Sequence, residues 1–92
     1  MLLVLALAAT VPTAQAQVPV RLMSFNIRYG TANDGANAWA NRRELTLATI
    51  ADHMPHLLGL QEALHSQVEE IEALLPRHQR IGVGREDGMT RG

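Results

Sequence analysis

The chain has 92 residues, eight of them basic and nine acidic, for a formal net charge of −1. That balance leaves no basic stripe for non-specific nucleic-acid binding, and Phe25, Tyr29 and Trp39 are too few aromatics for a base-stacking platform. The absence of cysteine excludes disulfide staples, thiolate metal sites and cysteine nucleophiles.

Leu2 to Ala9 is an unbroken apolar run, too short for a stable membrane span and of the length of a signal-peptide core. Ala14 and Ala16 fit the small-x-small cleavage rule, so residues 1–16 read as a signal peptide cut before Gln17, although no Lys or Arg precedes the run. Export would make the product secreted or periplasmic. The competing reading, a buried amino-terminal helix, would be broken early by Pro12.

Residues 18–27 alternate well enough for a strand, with Val20, Leu22 and Ser24 on one face and Pro19 confined to its start. Tyr29-Gly30 ends it, and a loop rich in Asn, Asp and Gly follows, with a turn signal at Asp34-Gly35. A helix is predicted over about 38–53, its apolar stripe being Leu47, Ile50, Ala51 and Met54, and Pro55 stops it. Leu57 to Leu60 is a continuous apolar run, the pattern of a strand covered on both faces. Leu64, Val68, Ile71 and Leu75 line a second helix that ends at Pro76. Residues 78–83 read as a third strand, and 84–92 as a glycine-rich loop. The order β-α-β-α-β, with helical crossovers, predicts parallel pairing.

Two segments deliver polar groups abruptly after an apolar run: Ser24-Phe25-Asn26-Ile27-Arg28 and Leu58-Gly59-Leu60-Gln61-Glu62. Crevices in open α/β sheets lie at the carboxyl ends of strands, so these groups are candidate ligand contacts. Glu62 supplies the hard anionic oxygen that a cation such as Mg²⁺ takes; the bland alternative is a residue favoured in the first turn of a helix. Asn26 offers a neutral amide for a phosphate oxygen or a metal-bound water, or else merely begins a turn. Arg28 either forks onto a phosphate or is a solvated or salt-bridged surface residue. Gln61 either orients Glu62 or points into the opposite layer. Arg42 and Arg43 sit early in a helix, where positive charge is disfavoured, so each is expected to find a partner, a packing salt bridge being favoured over a ligand anion. No pair among His53, His56, His65 and His78 has metal-ligand spacing, and surface roles are expected for them. No phosphate-cradling P-loop, G-x-G-x-x-G or G-x-S-x-G occurs.

The stretches Phe25-Asn26-Ile27-Arg28 and Leu58-Gly59-Leu60-Gln61-Glu62-Ala63 resemble the first two motifs of the endonuclease/exonuclease/phosphatase superfamily, the DNase I-like magnesium-dependent phosphodiesterases. Gly82-Val83-Gly84-Arg85-Glu86-Asp87-Gly88 is similar to a segment of its secreted bacterial members, and Trp39-Ala40-Asn41-Arg42 to their W-x-x-R helix opening. The similarity runs in register over residues 20–92. It implies the opening, truncated part of a four-layer α/β sandwich, over residues 17–92, of a fold that needs about 200–250 residues. It further implies catalytic and metal-holding roles for Asn26 and Glu62, a substrate-binding role for Arg28, a position near the site rim for Arg85 and Asp87, and Mg²⁺ (or Mn²⁺) as cofactor. The general base, the phosphate-binding histidines and another Asn come from later strands in that family. The chain is therefore expected to be an amino-terminal fragment of a phosphoester hydrolase, lacking its carboxyl-terminal half and inactive alone unless complemented. Its substrate class stays open among nucleic acid, phospholipid head group and sugar phosphate. The alternative is a small exported non-enzymatic α/β binding or interaction module.

Overall fold

The structure, a computed structural model, describes residues 3, 17–84 and 88. The signal-peptide reading of residues 1–16, and Arg85 and Asp87, thus fall outside the described residues.

Two five-residue strands, β1 (Leu22–Asn26) and β2 (Leu57–Gln61), pair in parallel, Leu22 opposite Leu57 and Asn26 opposite Gln61. Parallel neighbours need a crossover, and α1 (Trp39–His53) supplies it. A short 3-10 turn, Gly35–Asn37, leads into α1. α2 (His65–Leu74) follows β2. The predicted end of α1 holds: Met54 adopts a left-handed conformation (φ 46°), its N–H bonds the Ile50 carbonyl, and Pro55 forbids another turn.

Ile27, Ile50 and Ile71, one each from the end of β1, from α1 and from α2, are buried together. Met23, Phe25, Leu58 and Leu60 pack against them from the sheet, with Trp39, Leu47 and Leu75 from the helices and helix ends. Period-two alternation sends Leu22, Ser24, Asn26, Leu57, Gly59 and Gln61 to the opposite side, which is exposed. Val20, Leu22 and Ser24 do share a face, but it is the open one. The double-sided cover expected for residues 57–60 is absent among the described residues, since both helices lie on one side of the sheet. In α1 the buried seam is Thr46 and Ile50, whereas Ala51 and Met54 are exposed. Thr46 can be buried because its hydroxyl donates to the Arg42 carbonyl (3.0 Å).

The α/β class is as expected, but residues 78–83 form no third strand. That segment is fastened by side chains: His78 Nε2 bonds the Pro55 carbonyl (2.8 Å), and Arg80 makes two 2.6 Å bonds to the Glu72 carboxylate on α2. Ile81 and Val83 are 94% and 73% exposed. Their alternation suits a strand, yet no strand edge or sheet face receives it here.

Candidate functional site at the strand exits

Both strands of the sheet end on the same rim. Asn26 is the last residue of β1, and Glu62 follows the residue opposite it on β2. Asn26 Nδ2 donates to Glu62 Oε1 at 3.3 Å, so the amide and carboxylate singled out in the sequence are in contact. Asn26 Oδ1 accepts the Arg28 backbone N–H at 3.0 Å, which closes an Asx-turn. A backbone N–H can only donate, so this contact fixes which end of the amide faces Glu62.

The exits are shaped by unusual backbone. Arg28 (φ 60°) and Glu62 (φ 54°) both lie in the left-handed region. For residues other than glycine this costs about 1–2 kcal/mol each. Such strain persists where surrounding bonds over-determine it, and it clusters at sites. Here the turn after β1 is closed by Asn26, and the turn after β2 aims Glu62 at Asn26.

Arg28 forks onto a carboxylate, but that of Asp34: Nε–Oδ2 and Nη2–Oδ1 are both 3.0 Å. Its guanidinium also lies 4.9 Å from the centre of the Tyr29 ring. The hydrogen bonds and charge of Arg28 hold the Asp34 carboxyl below the ordinary carboxylate range and raise Arg28 above its own. A phosphate reaching this fork would have to compete with Asp34.

Three alternatives that the sequence left open resolve physically. Gln61 faces the open side of the sheet, where Ser24 Oγ lies 3.4 Å from its Oε1, so it does not orient Glu62. Arg43 forms the expected packing salt bridges, to Glu70 (3.4 Å) and Glu44 (3.2 Å). Arg42 instead caps carbonyl groups: Nη1 on Ile27 (2.6 Å), Nη2 on Arg28 (3.3 Å) and Nε on Asn37 (2.8 Å), with Trp39 beneath it at 5.3 Å. That explains a cation in the first turn of α1, and it ties the helix to the β1 exit. The four histidines stay apart from Glu62 in their contacts, and among the described residues no group of three or more His, Asp or Glu side chains could enclose a metal.

Gln67, in the first turn of α2, was not a sequence-based candidate. It has 0% relative exposure, and its carboxamide bonds backbone groups of both strand-exit segments. A signal for it existed: Gln67 lies four residues before Ile71, on the apolar side of α2, at the position from which Gln reaches back to a helix start.

Glu62 can hold one side of a hard cation. Mg²⁺ keeps several waters and needs only one or two protein carboxylates, and Glu62 Oε2 makes no hydrogen bond among the described residues. Asn26 is suited to steady that carboxylate; its own oxygen is engaged by Arg28 N–H. The residues present therefore fit part of a divalent-metal site.

The parallel α/β frame thus sets an amide–carboxylate pair at adjacent strand exits, the place where open α/β sheets form ligand crevices. Two solved structures share this arrangement of backbone. The endonuclease/exonuclease/phosphatase from Bacteroides vulgatus is 44% identical, with a TM-score of 0.71, over 79% of this chain and 28% of that one. An endonuclease/exonuclease/phosphatase family protein from Bacteroides thetaiotaomicron is 29% identical, with a TM-score of 0.70, over 79% of this chain and 27% of that one. No family profile matches the chain, and no curated protein does. The chain is similar in fold and sequence to part of these endonuclease/exonuclease/phosphatase proteins, and it spans about a quarter of the length of each.

Proposed function

We propose that this chain supplies the metal-holding corner of a divalent-metal-dependent phosphoester hydrolase exported from the cytosol. The contact between Asn26 and Glu62 at two left-handed strand exits carries the reading. Glu62 holds Mg²⁺ or Mn²⁺ through its carboxylate, and Asn26 fixes the carboxylate by donating to Oε1. When bound, the cation supplies charge neutralisation at a phosphoryl oxygen and polarises the ester. Arg28 contributes a second cationic group on the same rim and can exchange its Asp34 partner for a phosphate oxygen. Nothing in these residues selects among phosphoester classes.

Titration of the full chain with Mn²⁺, followed by paramagnetic broadening of its NMR signals, tests the metal role. Broadening centred on Glu62 and Asn26 is expected, and Glu62→Gln, which keeps shape but removes charge, should abolish it. Unchanged Mn²⁺ affinity in a folded Glu62→Gln chain would show that Glu62 merely opens the segment before α2. Export is tested by amino-terminal sequencing after expression in a bacterial host. A product starting at Gln17 supports it, and a cytosolic product retaining Met1 opposes it.

A further inference from the structure

We propose that Gln67 is a positioning residue for the Glu62 site: its carboxamide clamps the two strand-exit segments together and so sets the spacing of Asn26 and Glu62. The inference rests on the reading of Glu62 as a metal holder. Its physical basis is a buried side chain whose bonds go to both sides of the rim.

Gln67 Oε1 accepts two backbone N–H groups, from Leu64 and from Gly30, each at 2.9 Å. Its Nε2 donates to the Arg28 carbonyl, also at 2.9 Å. The Leu64 bond alone is an ordinary helix-start contact from the third helical position back to the residue before the helix. It would be satisfied by a solvent-facing Gln. The other two bonds reach 37 and 39 residues back along the chain, to the segment that leaves β1. Helix capping has no use for them.

Their placement matters. Arg28 carries the strained backbone that Asn26 closes, and Leu64 lies two residues beyond Glu62. One rigid amide thus holds points on both exits, next to the two residues whose side chains meet. Gly30 makes this approach possible: a Cβ there would lie 3.0 Å from Gln67 Cδ and 3.3 Å from Cγ. Arg42 shares the Arg28 carbonyl at 3.3 Å, so the β1 exit is braced from α1 as well as α2. An apolar side chain of similar length at position 67 would leave two amides and one carbonyl without the partner they have now, and the exits could separate.

The test uses the full chain with Mn²⁺ as probe. Gln67→Met preserves length and helix propensity but makes none of the three bonds. It should weaken Mn²⁺ binding by about 10- to 100-fold, as loss of a group supporting a metal ligand does, while the helical circular-dichroism signal persists. A folded Gln67→Met chain with wild-type Mn²⁺ affinity overturns the proposal, provided Glu62→Gln abolishes binding in the same titration. Should Glu62→Gln leave affinity unaltered, the metal reading falls instead, and the clamp is judged by hydrogen exchange in the unaltered chain. The same measurement decides if Gln67→Met does not fold. The Gly30 and Leu64 amides share one acceptor, so they should show matched protection and open together. Exchange of either at the rate of a free loop amide overturns the clamp.

Discussion

Gly30→Ala should destabilise the fold although the added group is only a methyl and φ at Gly30 is not in the left-handed region. The new Cβ would stand 3.0 Å from Gln67 Cδ, about half an ångström inside comfortable carbon–carbon contact. A free Gln side chain would swing aside at little cost. Gln67 is held at both ends of its amide by three 2.9 Å bonds, so a shift of that size stretches them past the usual 2.7–3.2 Å range. A typical net contribution is about 1 kcal/mol per bond, and partial loss of three gives roughly 1.5–2.5 kcal/mol. Reduced freedom of the unfolded chain returns about 0.4–1 kcal/mol. The net expectation is a loss of roughly 1–2 kcal/mol, read as a lower urea midpoint for the helical signal. Pairing the substitution with Gln67→Ala, which vacates the space, should remove most of the steric part. A Gly30→Ala chain at least as stable as the original would mean that Gln67 is not held in place, and the steric account would be wrong.

Acidification should loosen two tethers. Asp34 and Glu72 both have carboxyl groups held below their ordinary range by Arg28 and Arg80, so the stability each adds is present above the unfolded-state value and is lost as pH falls through the lowered folded one. NMR titration should show the Arg28 and Arg80 side-chain signals changing below about pH 4, with little change between about pH 5 and 7; movement centred near neutrality would contradict the pairing. The exposed sheet face should make the chain associate or bind a hydrophobic dye, since Leu22 and Leu57 are 72% and 61% exposed side by side. Leu22→Lys combined with Leu57→Glu should reduce dye binding without lowering stability, and unaltered dye binding would locate the apolar surface elsewhere.

Where a signal was local, the sequence carried it. Pro55 and the apolar spacing of Leu47 and Ile50 placed the end of α1, and the abrupt polar endings of the two apolar runs placed Asn26 and Glu62 on one rim. What was not legible depends on partners distant in sequence. Whether Gln61 faced Glu62 or the other side was settled by strand register, which puts Gln61 opposite Asn26 and beside Ser24 on the open face. The fork of Arg28 found Asp34 because the intervening loop folds back over it, which composition does not encode. Gln67 looked like one more polar residue of an amphipathic helix, and its burial follows from how closely Gly30 approaches. Residues 78–83 have strand-like alternation, but a strand is a property of a pair, and the pattern of one segment says nothing of whether an edge awaits it.

The parallel pairing of β1 with β2 has a consequence for how the site comes into being. Leu22 meets Leu57, Asn26 meets Glu62, and Gln67 reaches back to Arg28, all across 35 to 39 residues of chain. Every one of these contacts requires closing a long loop before any of them is rewarded, which is the condition for slow, concerted assembly. On the ribosome the first motif emerges well before its partner and can only wait. The turn at Arg28 has a local brace in Asn26, but the left-handed Glu62 meets its side-chain partner only across the sheet, so its shape should be acquired in the same late step that brings α2 against Gly30. A nascent chain released before Gln67 would hold both strands and α1 but lack the amide that joins their exits. By this reasoning the strand-exit rim should be the last part of the chain to take its shape.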